Sequence, residues 1–192
     1  INRSNYRFEP VSDTVIRYGL GAIKGTGEKA INAIITARTE GGAFTSLFDF
    51  CNRVERNCLN KRTVEALIKA GAFDSLELNR AALLASIELA FEYATTQAAN
   101  ANQGGLFDML DDGHGSSTQE PELVQTTPWS LKERLVQEKT AVGFFLSGHL
   151  FDESAREVGR FVRTRVADLV DTRETQTIAG IMSDFRVVNG MR

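Results

Sequence analysis

Apolar and polar positions alternate at the start of the chain. Tyr6-Arg7-Phe8-Glu9 alternates, Pro10 to Asp13 has turn composition, and Val15 to Tyr18 is a second short β run, which together predict a small hairpin. After the glycines between Gly19 and Gly27 the period becomes helical. Ala30, Ile31, Ile34, Ile35 and Ala37 share one face, and Gly41-Gly42 mark the stop. Ser46 predicts the N-cap of a helix over Leu47 to Val54, and Asn60 that of another. The Asn60 helix carries Val64, Leu67, Ile68 and Ala70 as its stripe, with Gly71 at the left-handed C-terminal position. Asn79 opens the longest predicted helix, through Ala82, Leu83, Ile87, Ala90, Phe91 and Ala94.

From about Gln97 the period fades into a linker composition of Ala, Asn, Gln, Gly, Ser, Thr and acid, with Leu106-Phe107 and Met109-Leu110 as an apolar island. Thr127-Pro128 predicts a cap followed by a first-turn proline for a helix over Trp129 to Ala141. A short helix over Asp152 to Val158 follows. Val166 to Val170, Gln176 to Ser183 and Phe185 to Val188 read as β, the last two as a hairpin.

Charge divides the chain. Residues 1–80 hold 12 basic and 9 acidic side chains, a net of +3, whereas residues 81–192 hold 10 and 16, a net of -6. No Lys or Arg lies between Arg80 and Lys132. Anion binding is therefore expected in the first half. No apolar run approaches the roughly 20 residues a membrane span needs. Cys51 and Cys58 cannot build a disulfide framework, which suits a reducing compartment. Ile1 at the start and Arg192 within a β run suggest a piece of something longer.

Ile23-Lys24-Gly25-Thr26-Gly27-Glu28-Lys29 places glycines two apart in a tight turn that feeds a helix. Amides from Thr26 to Lys29 would stand at the helix N-terminus, where unpaired donors and the dipole favour phosphate, and Lys24 and Lys29 add charge. This is a helix-hairpin-helix layout, which holds a duplex by its backbone and reads no sequence. A plain glycine turn between strand and helix has the same pattern. Lys61-Arg62 sit in the first turn of the next helix, where cations oppose the dipole; a bound phosphate would compensate, as would simple solvation. Gln103-Gly104-Gly105-Leu106-Phe107 has the form of a linear motif that buries Leu and Phe in a partner's pocket, or that folds back on its own chain.

Three features carry less. Cys51, Cys58, His114 and His149 lack metal-ligand spacing. Asp111-Asp112 belongs with solvated linker charge. His149 is a lone histidine and reads as structural.

In order, these pieces resemble the bacterial replicative DNA polymerase III alpha-subunit family, in the region following the fingers. The resemblance rests on Tyr18 to Gly27, on Leu59-Asn60-Lys61-Arg62 through Leu67 to Asp74, on Gln103 to Phe107, and on Glu138-Lys139 with Gly143 to His149. It implies a mainly α fold: a short β-hairpin ending the fingers (1–20), a tandem helix-hairpin-helix DNA-binding domain (21–97), a linker with a clamp motif (98–126), a helical connector (127–160) and the truncated start of an OB-fold (161–192). Double-stranded DNA would meet Lys24, Gly25, Thr26, Gly27, Lys29, Lys61 and Arg62, and the beta sliding clamp would take Gln103, Leu106 and Phe107. Other replicase subunits would join through the parent chain, in the cytoplasm and away from membranes. The parent is a DNA-directed DNA polymerase using Mg²⁺. No residue here matches its catalytic aspartates, so this portion is expected to be inactive and to hold no metal or cofactor of its own. Gly104-Gly105 in the clamp motif, and Leu150 where relatives commonly have proline, depart from the family pattern. The alternative is a helix-hairpin-helix module of a repair protein or of an error-prone polymerase paralogue.

Overall fold

Close backbone approaches shape the first twenty positions of the computed structural model, which describes residues 1–107 and 119–182, with backbone only for 102–107. Strands β1 (Glu9–Ser12) and β2 (Val15–Arg17) pair antiparallel with a bulge between Pro10 and Ser12. The hairpin exists as expected, but its turn is Asp13-Thr14, so Pro10 lies within a strand. A two-stranded ribbon is all edge, and an edge tolerates the missing proline donor. Just beyond it, the Leu20 and Gly21 amides donate to the Asn5 and Tyr6 carbonyls at 2.8 and 3.0 Å. A Cβ on Gly19 would stand 2.6 Å from the Arg7 backbone, so only glycine allows this approach.

A single 3-10 turn (Leu20–Ala22) leads to the Ile23–Gly27 turn and helix α1 (Glu28–Gly41). Helices α2 (Leu47–Arg53) and α3 (Lys61–Lys69) begin where Ser46 and Asn60 accept the third-residue amides of Asp49 and Thr63. The predicted long helix is broken in two, α4 (Arg80–Ala85) and α5 (Ile87–Phe107). At the break, Ser86 Oγ donates to the Ala82 carbonyl at 2.8 Å and accepts the Val124 amide at 2.9 Å, a side-chain competition that bends a helix.

The α5 backbone continues ten residues past Gln97, where the period fades. Ala98, Ala99 and Ala101 are strong helix formers that need not be buried, so a burial pattern cannot detect them. The side chains of Gln103, Leu106 and Phe107, together with Asp111, Asp112 and His114, lie outside the described residues.

Helix α6 (Leu131–Val142) starts one turn later than Thr127-Pro128 suggests, because Ser130 and Glu133 form a reciprocal capping box. Its Leu135, Glu138, Ala141 and Val142 are buried, and Ala141 and Val142 join the core built by Phe44, Phe48, Phe50, Leu67, Ile68 and Phe73.

Beyond Val142 no described residue is buried. Helix α7 (Asp152–Val158) forms as expected. The β expectation fails among the described residues: Val166–Asp168 is a 3-10 turn, and 169–182 forms no strand. The Gln176 side chain hydrogen-bonds both the Val170 amide and carbonyl, at 3.3 and 2.6 Å, occupying groups a partner strand would use. Residues 183–192, including Phe185 to Val188, lie outside the described residues.

Candidate nucleic-acid interface

The Ile23–Thr26 turn closes with the Thr26 amide donating to the Ile23 carbonyl at 3.2 Å. Gly25 takes φ +88°, the positive-φ third position of such a turn, which a side chain would strain. The Thr26 hydroxyl lies 2.7 Å from the Ile23 carbonyl and 3.0 Å from that of Leu20. Thr26 therefore braces the turn, and the expectation of an outward-facing Thr26 amide is corrected: its donor is already paired within the chain.

The free donors begin one residue later. Gly27 is the N-cap of α1 and supplies no side-chain cap, and its carbonyl accepts the Ile31 amide. Among the described residues no acceptor faces the amides of Glu28, Lys29 and Ala30. By contrast Ser46, Asn60, Asn79 and Ser130 cap α2, α3, α4 and α6. Gly27 itself has φ -97°, which any residue adopts, and a Cβ there would meet nothing within 4 Å. Neither backbone conformation nor internal packing requires glycine at this position.

The cations divide between two surfaces. Lys24 and Arg62 line a shallow depression of about 150 Å³ with Gly25, Lys69, Thr140 and Ala141. Both Lys24 and Arg62 are exposed and have no ion-pair partner among the described residues. The Lys24 amide donates to the Ala141 carbonyl at 2.8 Å, and its Nζ lies 3.6 Å from where a Gly143 Cβ would stand. Lys29 is exposed on a separate depression of about 430 Å³ with Glu55 and Cys58. Lys61 differs from its neighbour Arg62, for it pairs with Glu88 of α5. Glu28, exposed in the first turn of α1, is the charge that opposes an anion there.

Lys69 was legible at helical spacing from Arg62 but escaped the sequence reading. So did the α6 contribution, which the chain brings from more than a hundred residues away.

Behind the depression lies a buried polar network. Arg80 donates from Nε and Nη2 to both Asp74 oxygens at 2.7 and 2.6 Å, and from Nη1 to Glu138 Oε1 at 2.9 Å and the Lys69 carbonyl at 3.2 Å. Glu138 Oε2 accepts the Leu146 and Ser147 amides, each at 2.9 Å. Burial alone would raise the Glu138 carboxyl; the two amides and Arg80 outweigh it and hold the group below its ordinary range. Arg134 reaches Asp74 at 3.5 Å and Glu138 at 3.7 Å. These contacts connect two of the quoted signatures, the Gly71-to-Asp74 ending and the Glu138 with Gly143-to-His149 stretch.

The cysteines stay apart. Burial pushes the Cys51 thiol up to about 12, while Cys58 lies against Glu55. His149 Nδ1 accepts the Phe151 amide at 3.1 Å.

A family model described as a helix-hairpin-helix motif matches residues 1–83. Among curated proteins, the DNA polymerase III subunit alpha of Neisseria meningitidis is 50% identical over all 192 residues, which span 16% of its length. Those of Pseudomonas aeruginosa and Vibrio cholerae are 42% and 39% identical over the whole chain, which spans 18% and 17% of their lengths. The chain is homologous to a segment of DNA polymerase III alpha subunits. The homology covers α6, the Gly143-to-His149 loop and α7 as well as the helix-hairpin-helix motif. Among the described residues no helix is long and apolar enough to cross a membrane.

Proposed function

We propose that this chain is a non-catalytic, duplex-gripping and clamp-tethering segment of a replicative DNA polymerase alpha subunit. The carrying observation is the start of α1. Its amides are uncapped, the space in front of Gly27 is open, and Lys24 lies on the depression that Gly25 of the same turn also lines. A phosphate oxygen would accept from the α1 amides while the lysines supply charge. Arg62 would meet a neighbouring phosphate across the depression, where Glu65 already pairs Lys69. Contacts of this kind go to the phosphate backbone, so binding is indifferent to sequence. Lys61, held by Glu88, belongs at the margin of the contact.

Gln103, Leu106 and Phe107 supply the tether in this reading, docking on the beta sliding clamp so that the parent enzyme stays on DNA. Polymerisation, its Mg²⁺ and the other replicase contacts belong to the longer parent, and the assembly works in the cytoplasm.

Fluorescence anisotropy with two unrelated duplexes tests the first part. Equal affinities that weaken steeply with salt are expected, and a clear preference for one sequence refutes phosphate-only gripping. For the tether, Leu106→Ala with Phe107→Ala is expected to abolish clamp capture, and undiminished capture refutes it.

A further inference from the structure

We infer that Glu138 is a positioning residue for the phosphate-gripping turn, acting through the end of α6; this rests on the reading of Lys24 and its turn as the duplex contact. The carboxylate is fully buried and serves two sets of donors. Its Oε1 holds Arg80, which in turn grips Asp74 and the Lys69 carbonyl at the end of α3. Its Oε2 holds the Leu146 and Ser147 amides and so folds the chain back after α6. Between these anchors lies the last turn of α6, where the Ala141 carbonyl accepts the Lys24 amide at 2.8 Å. Gly143, which ends the helix at φ +94°, lies against the Lys24 ammonium.

Cations are favoured at a helix C-terminus, so Ala141 and Gly143 orient the backbone and the charge of Lys24 respectively. The depression shared by Lys24, Arg62, Lys69, Thr140 and Ala141 exists only while α6 is seated on α3. Glu138 touches none of the proposed phosphate positions. Its effect passes through Ala141 to Lys24.

Glu138→Gln in the full chain tests this. The amide replaces one of two acceptor oxygens with a donor, so Arg80 and the loop amides can no longer both be served. Hydrogen exchange of the Lys24 amide is expected to quicken by about tenfold or more relative to the Ile34 amide in α1, as a local opening would allow. Duplex affinity is expected to fall by about tenfold, the loss of one well-placed charged contact. An unchanged Lys24-to-Ile34 exchange ratio overturns the inference.

Should the variant fail to fold, the unaltered chain decides. Its Lys24, Leu146 and Ser147 amides must exchange with one common opening free energy, and different values overturn the inference. If the unaltered chain binds no duplex, the DNA reading fails separately, while the exchange comparison still decides whether Glu138 holds Lys24.

Discussion

Neutralising Lys24 and Arg62 together probes the proposed grip through its charge. Both are exposed, unpaired among the described residues, and on one depression, whereas adjacent Lys61 is paired with Glu88. Counterion release makes each phosphate contact contribute about -0.9 to the slope of log affinity against log salt, so Lys24, Lys29 and Arg62 together give about -2.7. At 50 mM salt one such contact corresponds to about 1.6 kcal/mol, or about 15-fold in affinity. Lys24→Gln with Arg62→Gln should therefore weaken duplex binding about 200-fold at 50 mM salt and leave a slope near -0.9, measured by anisotropy across a salt series. Lys61→Gln should change affinity by less than about threefold, because an exposed pair already holds that charge. Equal losses from Lys61→Gln and Arg62→Gln, or an unchanged slope in the double variant, would refute the assignment of these cations.

The two turn glycines should separate stability from binding. Gly25→Ala places a side chain at φ +88° and should cost about 1–2 kcal/mol, read as a thermal midpoint about 3–6 °C lower. Gly27→Ala meets nothing within 4 Å and should leave the midpoint within about 2 °C, yet weaken duplex binding about tenfold by blocking the approach to the amides. Glu28→Gln should tighten binding about threefold at low salt, with the gain disappearing at high salt in the same titrations. For Glu138, whose folded-state carboxyl lies below the 4.5 of an unperturbed one, stability is fully present above that value and lost as pH falls through the folded one. Thermal melts between neutral pH and acid should show a steeper loss in the unaltered chain than in Glu138→Gln.

Local chemistry made much of this fold legible. Ser46 and Asn60 signalled helix starts because a side-chain oxygen at that position satisfies an orphan amide, and Gly71 signalled a helix end, adopting φ +78° there. Burial periodicity found α1 and α3 but not the alanine-rich part of α5, which is helical by propensity. It also could not show that Ser86 splits one apolar run into two helices by bonding to Ala82 and Val124. The β reading of Val166 to Val170 failed because alternation describes a strand only when a partner takes its backbone groups, and here Gln176 takes those of Val170.

At the candidate interface, the turn and its lysines were visible in sequence. The role of Thr26 as a brace, the diversion of Lys61 to Glu88, and the arrival of α6 beside Lys24 depend on contacts that span six to well over a hundred positions. Glu138 was visible as part of a family signature, but its two-sided grip on Arg80 and the Leu146-Ser147 amides was not.

Following backbone amide resonances of the full chain while a short duplex is added tests the grip at the start of α1. Saturable shifts are expected that are largest at Glu28, Lys29 and Ala30 and smaller around Lys24 and Arg62, with the same pattern for an unrelated duplex. Shifts that spare the start of α1 while duplex binding proceeds elsewhere would contradict it.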